Sequence, residues 1–97
     1  VSELVKICAI ASVHGAHVIP HGHSIHAAMH VVASQSPDVC PLVEYLIGKM
    51  DGNYYHFEKN APRPVNGKLT LPDRPGFGIE LDSSKINKKE IITWRDL

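Results

Sequence analysis

The sequence has few cysteines, no surplus of either charge and no long apolar run. Its two cysteines, Cys8 and Cys40, stand alone in apolar stretches without CxxC spacing. That argues against a disulfide framework and predicts two reduced core thiols in a cytosolic protein. Ten Lys and Arg residues balance ten Asp and Glu, so the electrostatic footprint of a nucleic-acid or acidic-membrane binder is missing. No apolar stretch approaches the roughly 20 residues needed to span a bilayer. The amino terminus also lacks a basic-then-apolar signal pattern. A soluble, cytoplasmic protein without nucleic-acid or membrane partners is expected. An initiator methionine is absent too, since the chain begins Val1-Ser2-Glu3, as expected of a piece of something longer.

What is present is one small domain's worth of chain with a modest core. Residues 2 to 14 read as a helix, with Leu4, Val5, Cys8, Ala9, Ala11 and Ser12 forming one stripe at spacings of three and four. Ser2 is the expected N-cap and Gly15 the residue that stops the helix. Ala16 to Pro20 is apolar without alternation, as expected of a strand covered on both faces. After His21-Gly22-His23-Ser24, Ser24 is positioned to cap a second helix from Ile25 to about Ala33. Ser34 to Asp38 reads as a turn, and Pro41 to Ile47 as a second buried strand.

Helix, strand, helix, strand with short connections yields parallel strands. Two such strands with two helices cannot enclose a core, so both sheet edges need neighbours, and the chain is incomplete or completes itself as a homo-oligomer. This first unit covers 1–50 and a second, extended and hairpin-containing unit covers 51–97. Within the second, Asn53 to Phe57 is rich in aromatics, and Tyr54, Tyr55, Phe57 and Trp94 are expected in packing or interfaces. Asn66-Gly67 is a two-residue hairpin signal, Pro72 to Gly78 turns, and Gly78 to Asp82 is extended. Ser83 or Ser84 then caps a weak turn through Ile86, before a marginally ordered tail from Asn87 to Leu97.

His21 stands where a strand ends and a helix begins, the position at which chemistry gathers in α/β folds. Its imidazole suits proton transfer near neutral pH. His26 and His30, one helical turn apart, could join His21 or His23 on a metal, although such pairs are more often packing or surface residues. His14, His17 and His56 carry no distinguishable signal.

Four stretches occur in one order: Ala11-Ser12-Val13-His14-Gly15, Val18-Ile19-Pro20-His21-Gly22, Leu42-Val43-Glu44-Tyr45-Leu46, and Pro64-Val65-Asn66-Gly67 through Arg74-Pro75-Gly76-Phe77-Gly78-Ile79-Glu80-Leu81. Together they resemble the carboxyl-terminal end of the mandelate racemase and muconate lactonizing enzyme subgroup of the enolase superfamily, and most of all its acid-sugar dehydratases of the rhamnonate dehydratase type. The resemblance covers residues 1 to about 86. It implies the last portion of a (β/α)8 barrel (helix 6, strand 7, helix 7, strand 8), with a tail that returns toward a capping domain. It also implies proton abstraction next to a carboxylate through an enediolate stabilised by Mg²⁺.

By that match His21 is the general base, or the acid in the later loss of hydroxide. Glu44 hydrogen-bonds the substrate carboxylate and must stay protonated to donate, which needs a buried site that raises its pKa. His23 and His26 are the candidates for contacts to substrate hydroxyls at the same mouth, beside a bland role in a loop or helix cap. The family's Mg²⁺ carboxylates and the aspartate that orients the base precede this chain, and Ser34 to Val39 lengthens the connection before the last strand. The parent enzyme is therefore expected to use Mg²⁺ and a small sugar-acid substrate, whereas these residues alone should bind no catalytic Mg²⁺ and turn over nothing. Two other readings stand beside it: a small metal-binding module built on His21, His23, His26 and His30, and a non-catalytic structural or interaction domain. The leading reading requires His21 and Glu44 at neighbouring tips of a parallel pair.

Overall fold

The computed structural model describes residues 1–50 and 54–96, the side chains of Ser24 and Met50 excepted. The cap expected from Ser24 and the expectations placed on 51–53 and on Leu97 lie outside the described residues. The element order is α1 (Ser2–Val13), a 3₁₀ turn (Gly22–Ser24), α2 (Ile25–Ser34), α3 (Ile47–Met50) and a second 3₁₀ turn (Ser83–Lys85).

Helix α1 forms where the spacing places it, with one shift: Val1 occupies the N-cap without a side-chain cap, and Ser2 is already helical. At the other end Gly15 takes φ +63°, which costs glycine nothing. The Ala16 N–H then reaches the Ala11 carbonyl at 2.9 Å and the Gly15 N–H reaches Ser12 at 3.5 Å, a Schellman closure. Only Cys8 and Ala11 are buried on α1, while Ile7, Ile10 and Val13 are exposed. The buried stripe is thus narrower than expected, and Val5, Ala9 and Ser12 lie outside it.

The two expected strands are the first correction. Among the described residues no β-strand forms, although 16–20 and 41–46 run side by side in the same direction. The Val18 N–H donates to Val39 O at 2.8 Å and the Glu44 N–H to Pro20 O at 3.4 Å. Proline explains why the ladder stops there: Pro20 and Pro41 have no N–H to donate, one on each side of the pair. Among the described residues no further strand lies on the outer edges, and all of 16–20 and 41–46 is exposed or half-buried rather than covered on both faces. Ile47 opens α3 instead of ending a strand.

Helix α2 carries the best-buried face of the chain, with Ile25, Ala28, Met29 and Val31 inside. Its first free N–H, on Ile25, donates to the Tyr55 hydroxyl at 3.3 Å, a cap supplied from 30 residues away. The core centres on Cys8, Val31 and Cys40, with Leu4, Val18, Val32 and Val39 packed around them. In the second half, Asn66 (φ 50°) and Gly67 (φ 72°) close a type I′ turn in which Val65 and Lys68 exchange both backbone bonds, at 2.8 and 3.0 Å. The extended run 78–82 pairs antiparallel with 57–59 through Lys59 N to Glu80 O and Asp82 N to Phe57 O. The last turn is capped by Asp82, whose carboxylate accepts from the Ser84 N–H, rather than by Ser83 or Ser84.

Candidate functional site

The end of the parallel pair brings His21 and Glu44 together. His21 lies just past Pro20 in extended conformation, and Glu44 is anchored beside it by its own N–H on Pro20 O. Glu44 Oε2 contacts His21 Nδ1 and accepts the Gly22 N–H at 2.8 Å. Position 22 must be glycine for this approach: a Cβ there would stand 2.7 Å from the Glu44 carbonyl oxygen.

The Gly22 N–H, and after it His21, hold the Glu44 carboxyl below its ordinary value; desolvation opposes them and loses. The expectation of a buried, protonated Glu44 is therefore not met here. Its side chain is 39 % exposed and that of His21 63 %, so water competes to keep the charge. With Nδ1–H donated to the carboxylate, His21 Nε2 is the nitrogen left to accept a proton. The pair has the geometry of a carboxylate-oriented imidazole base.

His23 joins this mouth. Its ring meets that of His21 edge-on with centroids 4.4 Å apart, and Lys49 Nζ lies 3.2 Å from its Nδ1. Sequence reasoning missed Lys49; its signal was position alone, as the first basic residue past the second apolar run. His26 does something else. Its Nε2 lies 2.8 Å from Glu58 Oε2, both side chains being 10 % exposed, and its ring meets Tyr55 edge-on at 4.8 Å. It borders, with His23, a depression of about 370 Å³ walled by Tyr54, Tyr55, Phe77 and Ile79, but its ring nitrogen is committed to Glu58. Glu58 and Tyr55 were likewise not foreseen as partners, because nothing local links them to α2. A larger depression, about 460 Å³, lies between Phe57, Leu81 and residues 85–90 and includes neither His21 nor Glu44.

His30 donates Nδ1–H to the His26 carbonyl at 2.7 Å and meets Phe77 edge-on. The four histidines of the metal-module reading are thus dispersed over separate partners. Among the described residues no three His, Cys, Asp or Glu side chains converge on one point. Among the same residues, no helix is long and apolar enough to cross a membrane.

A histidine and a carboxylate thus meet at adjoining ends of two parallel segments, each preceded by a helix. Residues 1–85 match the model of the family described as Enolase C-terminal domain-like, and the chain belongs to that family. More particularly, it is similar to the L-rhamnonate dehydratase of Saccharopolyspora erythraea, 34 % identical over an alignment of 87 residues, with 84 % of this chain and 22 % of that protein covered. It is also similar to the D-galactarolactone cycloisomerase of Agrobacterium fabrum, at 32 % identity with 90 % of this chain and 25 % of that protein covered. The chain therefore spans between a fifth and a quarter of the length of the curated relatives it matches. No solved structure matches it.

Proposed function

We propose that this chain is the carboxyl-terminal part of an acid-sugar dehydratase or racemase-like enzyme, supplying His21 and Glu44 to the active site and inactive by itself. The reading rests on one observation, the contact between His21 and Glu44 at the ends of the parallel pair. The relatives' names, L-rhamnonate dehydratase and D-galactarolactone cycloisomerase, support a sugar acid as substrate. In the whole enzyme the two segments would serve as strands 7 and 8 of a (β/α)8 barrel, with further strands completing the edges that are open here. The described residues offer no three-ligand set, and Glu44 Oε2 is already engaged by Gly22 and His21. They do not fit a Mg²⁺ ion. The magnesium implied by the family resemblance would be held by parts of the parent enzyme outside this chain.

The chemistry of the residues themselves is proton transfer. His21 Nε2 takes the proton from the carbon beside the substrate carboxylate, and the carbon–hydrogen electron pair moves into the enediolate. Glu44 remains ionised, holds the imidazole in orientation through Nδ1 and balances the imidazolium charge that forms. In dehydration the imidazolium returns the proton to the departing hydroxyl, which leaves as water; racemisation would need a second acid, from outside this chain, to protonate the opposite face of the enediolate. His23 and Lys49 border the same opening and supply donors for substrate oxygens, whereas His26 supports the site through Glu58.

The test is turnover of L-rhamnonate with Mg²⁺ by the longer polypeptide that carries this sequence. A 2-keto-3-deoxy product should appear. His21→Asn should lower kcat at least a thousandfold, and Glu44→Gln roughly a hundredfold through lost orientation. Full activity of His21→Asn refutes the assignment of the base, and product formed by the 97-residue chain alone refutes its incompleteness.

A further inference from the structure

The centre of the core holds a pair of groups that the proposed chemistry leaves unused. Cys8 on α1 and Cys40 at the start of the second segment are 32 positions apart, yet their sulfurs lie 3.6 Å from each other in hydrogen-bond contact. Both are free thiols and both are buried, at 1 % and 4 % exposure. Around them pack the apolar side chains of Val31, Leu4, Val18, Val32 and Val39. We propose that Cys8 and Cys40 are a peroxide-sensitive pair whose oxidation to a disulfide locks α1 onto the parallel segments that present His21 and Glu44.

Each part follows from placement. A disulfide needs its sulfurs about 2.05 Å apart, and side chains already in contact reach that by a small rotation. The bond would join the one narrow stripe by which α1 is held, Cys8 and Ala11, to the segment beside it. Cys40 follows Val39, whose carbonyl accepts the Val18 N–H at 2.8 Å. The link would therefore fasten the register of 16–20 against 39–44.

In the closed state the pair is protected. Burial, together with the hydrogen bond shared with Cys8, pushes the Cys40 thiol up to about 11, and thiols react more slowly than thiolates. Oxidation accordingly proceeds through local opening of α1. One sulfur attacks hydrogen peroxide to give a sulfenic acid and water. The second thiol then displaces the sulfenic oxygen as a second water, leaving the disulfide. The peroxide is the electron acceptor, and a dithiol reverses the change.

The experiment treats the 97-residue chain with hydrogen peroxide in urea below its unfolding transition. Expected are a mass loss of about 2 Da and a tryptic peptide joining Cys8 to Cys40. The unfolding midpoint should rise by roughly 15 °C, as a loop of this length implies, and the Val18 amide should exchange more slowly. A dithiol should undo all of these. Oxygen addition to either sulfur without cross-linking, linkage between two chains, or an unchanged mass overturns the proposal. Cys40→Ser and Cys8→Ala should each lose the midpoint rise; a rise that survives in either overturns it as well. None of these readouts depends on what His21 and Glu44 do.

Discussion

Glu44 shows how much one side chain can be made to hold. Its Oε2 takes the Gly22 N–H and the His21 imidazole together, so two chain segments are tied through a single oxygen. Because these donors favour the ionised form, the folded carboxyl sits below its ordinary value of 4.5. The stabilising contribution is therefore present above the unfolded pKa and lost as pH falls through the lower folded one. Lowering the pH from 7 to below 4 should release the Gly22 amide, seen as an upfield shift of its proton resonance that Glu44→Gln alters already at neutral pH. No such shift in acid would show the bond to be absent in solution. Gly22→Ala probes the same contact from the other side. The added Cβ meets the Glu44 carbonyl at 2.7 Å, backbone that cannot swing away, so destabilisation of about 1–3 kcal/mol by urea titration is expected.

Among the elements, α2 is fixed from both halves of the chain. Tyr55 caps its first N–H, and Glu58 pairs with His26 on its second residue at 2.8 Å. The 57–59 segment that brings Glu58 there is in turn bonded to 80–82. Removing one partner of a largely buried pair leaves the other unpaired, so His26→Ala and Glu58→Ala should each cost about 2–4 kcal/mol. The double variant should cost little more than either alone; full additivity would mean that the pair is not coupled. The same element shows where sequence patterning ended. Helix periodicity located α1 and α2 to within a residue or so, and Asn66-Gly67 predicted its own turn, because those signals are local. Pairing of His26 with a residue 32 positions away leaves no local trace, and a helix-face histidine reads the same whether it meets solvent, substrate or Glu58. The expected strands failed for a reason that was legible: Pro20 and Pro41 each remove a ladder donor.

For the whole molecule the quantities describe an open, extensively exposed surface. A folded monomer of this mass exposes about 5,500 Å², but this chain exposes 7366 Å². The excess, about 1,900 Å² on this one chain, is more than twice the roughly 800 Å² that each partner buries in a standard protein interface. Its radius of gyration is 15.5 Å, against about 12.5 Å for a compact chain of this length. Ile10, Val13, Leu42 and Ile47 all remain more than half exposed, on helices and segments that in a complete α/β layer would be covered. Sedimentation velocity at high micromolar concentration should accordingly reveal association, and a single monomeric species there would contradict it. Taken alone, the sequence determined the helices, the tight turn and the presence of a histidine and a glutamate at the ends of two apolar runs, since each depends on residues within a few positions of one another. Only the tertiary structure decided that those two side chains meet, that the glutamate stays charged and that His26 turns to Glu58. Contact and solvation are set by chain segments distant in sequence, and the free energy of a charge depends on the donors that happen to surround it.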